Sequence, residues 1–169
     1  MTDHDGGDLH ALLRNALLGL FRELIDGAPA DAAFIVNPGD PGLVRSLGKL
    51  SAADASARTA ERSSVAAHVG HLRYGFELLN RWAGGDENAF AGATYAKCWE
   101  RQQVAEGEWR DLLQGLAQEV RAWMGAIERR REWDFVALSG AISSVAHLAY
   151  HLGAIRQLAA AASGPRAAD

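Results

Sequence analysis

The chain has 169 residues, 49% of them hydrophobic and 22% charged, with a formal net charge of −4. That balance predicts one soluble domain over 1–169, large enough to bury a core without covalent staples. It excludes a general nucleic-acid binder, which presents a basic face, and the single cysteine, Cys98, excludes an internal disulfide framework.

Residues Met1–Gly7 are polar and acidic, so they read as a disordered tail without a secretory signal, and the protein is expected to be cytoplasmic. Asp8 can cap a first long helix, in which Leu9, Leu12, Leu13, Ala16, Leu17, Leu20 and Leu24 keep the three-four spacing of one apolar face. Gly27 and Pro29 end it. Phe34–Gly42, FIVNPGDPG, is punctuated as loop. Leu43, Val44, Leu47 and Leu50 predict a short helix, and Ser51-Ala52-Ala53-Asp54 has the spacing of a capping box. The connection Pro29–Ser63 is long enough to carry small elements of its own, and is expected to cover one end of the fold.

A second long helix is predicted over Ser64–Trp82, with Val65, Val69, Leu72, Phe76 and Leu79 as its stripe and His68 and His71 bordering it. Ala83-Gly84-Gly85-Asp86 terminates it. A third is predicted over Trp99–Arg129, with Trp109, Leu112, Leu113, Leu116, Val120, Trp123 and Ile127 inward. Arg129-Arg130-Arg131 then complements the helix dipole as a solvated cap. After a turn at Glu132–Val136, Ser139 is the expected cap of a fourth. Its run Ala141–Ser163 contains one formally charged residue, Arg156. Leu138, Ile142, Val145, Ala149, Leu152 and Ile155 share a face, and a helix so apolar is expected to be surrounded by protein. The run is long enough to span a bilayer, but two histidines, Arg156 and Gln157 argue against a membrane span. No stretch alternates with period two, so the fold class is all-α, with four long helices in a bundle.

Chemistry concentrates in the histidines. His147 and His151 are one turn apart on one face of an apolar helix. Each needs a partner, because a buried unpaired polar group costs about 1–3 kcal/mol. Ser or backbone groups could satisfy them, and so could a metal ion. With a histidine from the second helix, either His68 or His71, they make a three-His site between facing helices, suited to Zn²⁺, Ni²⁺ or Fe²⁺ and leaving a position open. The chain has no Glu-x-x-His and no His-Glu-x-x-His, which argues against a carboxylate-bridged di-iron centre and a zincin. Lys97 could lower the pKa of Cys98, but a lone cysteine is more often incidental than a nucleophile. Tyr74 and Tyr150 lie within a turn of the histidines and are candidates for a pocket or for the core. The tryptophans keep core spacing, which argues against an exposed partner-binding cluster.

The run Ser64-Val65-Ala66-Ala67-His68-Val69-Gly70-His71-Leu72, followed far downstream by His147-x-x-x-His151, resembles the DinB/YfiT-like superfamily, a four-helix bundle of metalloenzymes. FIVNPGDPG and HLRYGFELLNRW resemble one DinB-like subfamily, and the resemblance covers about Leu9–Leu158. It implies an up-down-down-up helix order and one divalent ion held by His71, His147 and His151. His71 follows from the family's register, seven residues after the Ser that precedes Val. The helical wheel instead brings His68 nearer the middle of the apolar arc. The resemblance also implies a transferase using a low-molecular-weight thiol co-substrate, or a hydrolase, acting on a small-molecule substrate, and a homodimer. No general base can be named, because Glu77 falls on the far side of its helix from His71. The competing class is a non-catalytic helical domain whose histidines pack or hold a structural metal.

Overall fold

A computed structural model describes residues 4–58 and 62–165, and of residues 4–8 the backbone only. Among the described residues the protein is all-α. The helices are α1 (His4–Asp26), α2 (Gly42–Leu47), α3 (Ala52–Ser56), α4 (Val65–Ala83), α5 (Tyr95–Cys98), α6 (Glu106–Arg129) and α7 (Phe135–Leu158), followed by a 3₁₀ turn at Ala160–Ala162.

Four long helices enclose the core: α4 packs on α6 and α7, and α1 packs on the same two. Their directions follow from paired residues. Ser64 and Asn80 of the α4 segment meet Gln102 and Glu119 of the α6 segment, so these two run parallel. His68 and His71 meet His151 and His147, so α4 and α7 are antiparallel. Arg14 meets Arg130 and Asp26 meets Arg121, which makes α1 antiparallel to α6. A side chain on Gly115 would meet the Arg73 guanidinium at 2.6 Å, so α4 and α6 approach closely. Phe21, Leu24, Leu72, Phe76, Leu116, Ile127, Leu148 and Ile155 fill the centre. Two buried indoles find partners there: Trp109 Nε1 donates to the Leu50 carbonyl (2.9 Å) and Trp123 Nε1 to Ser144 Oγ (3.0 Å).

Several helix ends differ from the sequence expectation. The first helix begins at His4, so the expected disordered tail is already helical there, while residues 1–3 lie outside the described residues. The third begins at Glu106, not Trp99, because the Glu108 carboxylate accepts from the Ala105 N–H (2.9 Å) and caps that start. Trp99 therefore leaves the core and follows the short α5. The fourth begins at Phe135, because the Asp134 carboxylate, not Ser139, accepts from the Ala137 N–H (2.8 Å). The Ser51–Asp54 capping box forms as its spacing predicts.

Nor is α7 surrounded. It is long and apolar enough to cross a membrane by composition alone, with a mean hydropathy of 1.3. Its inner face is buried, including Ala141, Val145, Leu148, Leu152 and Ile155, packed mainly on α1 and α4, with Ser144 reaching Trp123 of α6. Phe135, Val136, Ile142 and Tyr150 are exposed on its other side, so Ile142 does not share the buried face.

Two buried carboxylates organise the long connection after α1. Glu23 accepts from the backbone N–H groups of Phe34, Ile35 and Val36 at 2.6–3.1 Å. Asp40, 1% exposed, accepts from Gly42 N (2.8 Å) and pairs with Arg156 of α7 at 2.7 Å. Arg156, the lone charge of the last helix, thus ties that helix to the loop. Gly27 (φ 107°) and Gly42 (φ 73°) sit back to back in left-handed conformations. A Cβ on Gly42 would lie 2.5 Å from Gly27 N, so the crossing needs glycine. Glu23→Ala leaves three N–H groups without their acceptor and is expected to destabilise the fold by about 3 kcal/mol. Glu23→Gln, which keeps one acceptor oxygen, should cost less. Urea denaturation of the two variants checks the order; equal and small losses would remove Glu23 from this role.

Candidate metal centre

The Ser64 hydroxyl accepts from Ala67 N (3.2 Å), which starts α4 four residues before His68. The i and i+3 spacing of His68 and His71, and the i and i+4 spacing of His147 and His151, aim all four rings into the seam between α4 and α7. His71 and His151 are buried, 9% and 2% exposed, and His68 and His147 are half-buried.

Three of the four converge. His71 Nε2 lies 3.1 Å from His147 Nε2, which lies 2.9 Å from His151 Nε2. His71, His147 and His151 each offer a ligand atom to one point, these atoms lying within 4.8 Å of one another. His68 stands behind them. Its Nδ1 is 2.8 Å from Nδ1 of His151, the nitrogen that faces away from the cluster. His68 lies beside His71 but outside the three-atom group.

This arrangement fits a cation better than a self-contained hydrogen-bonded cluster. An imidazole nitrogen has either one proton or one in-plane lone pair, so His147 Nε2 cannot make a good bond to both neighbours at once. His71 Nδ1 is buried without a partner. One cation would take all three Nε2 lone pairs. The 2.9 and 3.1 Å separations are short enough for one ion to reach all three nitrogens. With Nε2 engaged, the His151 proton sits on Nδ1 and is donated to His68, an outer hydrogen bond of the kind that orients metal-binding histidines.

The site keeps its imidazoles uncharged. Burial, reinforced by neighbouring rings, lowers His71 to about 4 and His151 to about 3, and burial lowers His68 and His147 as well. Neutral imidazole is the form that binds metal.

Aromatic side chains from the segment around α5 cover the cluster. Trp99 stacks on His71 (4.6 Å between centroids, 26°) and meets His68 edge-on at 5.1 Å, and Tyr95 lies 5.9 Å from His71. Neither was picked out from the sequence as a site residue. The aromatic pair in Thr94-Tyr95-Ala96-Lys97-Cys98-Trp99 was the available signal. A cavity of about 220 Å³ lined by Phe76, Leu79, Phe90, Tyr95, Ser143 and His147 opens on one side. Another of about 350 Å³, lined by Arg62, His68, Trp99, Gln157 and Leu158, opens on the other.

The remaining candidates fall outside. Tyr74 OH accepts from Thr94 N (3.2 Å) and so holds the covering segment, while Tyr150 is 69% exposed. Neither joins the core. Burial pushes the Cys98 thiol up, and Glu77 adds to that, so Lys97 does not activate it.

No protein-family model, curated protein or solved structure matches this chain. The functional reading therefore stands on the site itself.

The depressed histidines make a prediction about pH. Above the ordinary value of 6.5 both folded and unfolded chains hold neutral imidazoles, and stability is unaffected. Below it the unfolded chain takes up protons that His71 and His151 refuse until about pH 4 and 3, so stability falls through that window. Melting of the metal-free protein between pH 7 and 4 checks this; a melting temperature that does not drop would mean the rings are not buried as described.

Proposed function

We propose that this chain is a divalent-metal enzyme with a DinB-like four-helix bundle, acting on a small-molecule substrate. The observation that carries this reading is the convergence of three neutral Nε2 atoms, without a fourth protein ligand among the described residues. A structural zinc site is closed by four protein ligands, whereas a catalytic site keeps a position open. His68, the fourth histidine at the seam, turns its Nδ1 to the outer nitrogen of His151. The helix directions support the bundle, with α1 and α7 running one way and α4 and α6 the other, an up-down-down-up order.

His71, His147 and His151 would hold the ion, and three neutral imidazoles suit Zn²⁺, Ni²⁺ or Fe²⁺. When bound, such an ion supplies Lewis acidity, which lowers the pKa of water to about 7 or keeps a coordinated thiol as thiolate. The chain contributes the rest. His68 accepts the His151 proton and fixes that ring. Trp99 roofs the cluster and keeps bulk water off His71. The cavity beside His147 receives an apolar substrate group on Phe76, Leu79 and Phe90.

Transfer from a low-molecular-weight thiol is favoured over hydrolysis, because among the described residues neither adjoining cavity is lined by a carboxylate that could serve as base for water. A thiol, with an ordinary pKa of about 8.5, needs less help.

Elemental analysis of untagged protein is expected to find about one equivalent of divalent metal, lost in His71→Ala and His147→Ala and retained in His68→Ala. Loss in His68→Ala with retention in His71→Ala would reverse the assignment, and no uptake of Ni²⁺, Fe²⁺ or Zn²⁺ would sink it. For the reaction, thiols with a haloarene electrophile should turn over in the loaded enzyme only, and turnover of esters or amides without thiol would favour the hydrolase.

A further inference from the structure

The Arg129-Arg130-Arg131 run reads from sequence as a solvated cap, but the fold makes it the wall of a cavity. A hollow of about 440 Å³ lies where α6 ends and α7 approaches, lined by Trp123, Ala126, Ile127, Trp133, Glu132 and all three arginines. Its place is the far end of α7 from the histidines: thirteen residues separate Asp134 from His147, about 20 Å of helix.

Arg130 is held in position before any ligand arrives. Its guanidinium lies 5.6 Å from the ring centres of both Trp82 and Trp133, close enough for cation–π attraction to each. The Arg130 carbonyl accepts from Arg14 Nη1 (3.3 Å), so a fourth cation spends its hydrogen bond on the helix end. Arg129 and Arg131 are exposed on the rim. Among the described residues none of the three guanidiniums has a carboxylate within ion-pair distance, whereas Arg81, Arg101, Arg121 and Arg156 each do.

Charge decides what the cavity takes. Among the described side chains, Glu132 is the acidic residue lining the hollow, and with the carbonyl end of α6, worth roughly −0.5 of an elementary charge, it faces three arginines. Three cations exceed what capping a helix requires. A guanidinium fork matches the oxygens of a phosphate or carboxylate, and the indoles beneath present flat apolar faces. The hollow has the size of a small-molecule site.

We propose that this cavity is a second ligand site, separate from the histidine cluster, for a small organic dianion: a phosphate monoester or dicarboxylate on a flat apolar body. Arg130 is the preset anchor, Arg129 and Arg131 close on the anion from the rim, and Trp123 and Trp133 carry the apolar part.

The test uses the full chain after chelation, so that no bound metal contributes. Phenyl phosphate and phthalate, titrated calorimetrically, separate the phosphate from the dicarboxylate source; benzyl alcohol is the uncharged control. At least one dianion should bind saturably and about tenfold or more tighter than benzyl alcohol, the margin of a charge-assisted contact. Its affinity should fall as salt rises. Arg129→Gln with Arg131→Gln, both on exposed residues, should weaken it about tenfold or more without altering the melting temperature, and Arg130→Gln, which also gives up the two indole contacts, should weaken it at least as much. The Trp133 indole N–H resonance should shift and that of Trp99 should not. No saturable binding of either dianion, affinity unchanged in the rim double variant, or a shift of Trp99 in place of Trp133 would each overturn the site. None of these readouts depends on metal uptake, so this site and the metal centre fail separately.

Discussion

Four imidazoles kept neutral in the seam between two antiparallel helices are the constraint around which this protein is arranged. Charging them there is costly, since burial and each neighbouring ring oppose it, and His71 and His151 are pushed down to about 4 and 3. Leaving them neutral and unpaired also costs, because a buried nitrogen without a partner forfeits its hydration. The protein meets part of that cost internally, through the His68–His151 contact, and leaves His71 Nδ1 without a partner. The three inward Nε2 atoms cannot satisfy one another by hydrogen bonds, and a divalent cation is the ligand that satisfies them together.

That seam is held by features well away from it. Asp40 and Arg156 fasten the end of α7 one turn beyond His151, and Glu23 gathers three backbone N–H groups so that the connection can lie against the core. At the other side, Tyr74 accepts from Thr94 and steadies the segment that carries Tyr95 and Trp99 over the cluster. A long connection and a short covering segment, neither of them part of the long helices, thus decide how enclosed the histidines are.

Two places along α7 carry opposite chemistry. One gathers neutral imidazole donors, and the other, about 20 Å away at the start of the helix, gathers arginines. Apolar side chains left exposed on α7, among them Phe135 and Ile142, lie between these places on the outer face.

Much of this was written locally in the chain. The three-four spacing of leucines and the absence of any period-two stretch determine an all-α protein, because an apolar stripe of that period can be buried only by a helix. The Ser64 cap, the Ser51–Asp54 capping box and the Gly27 stop are likewise local, since each is a hydrogen bond or a φ angle within a few residues. His147 and His151 share a face by spacing alone. Spacing could not choose between His68 and His71, because the choice depends on how α4 is rotated against α7, and that is set by packing on α6 and α7 together. Nor could it show that Trp99 leaves the third helix to roof the site, that Asp40 reaches Arg156 across 116 residues, or that three arginines line a hollow floored by indoles. Each of these joins groups distant in the chain, and such groups acquire a distance only when the core closes.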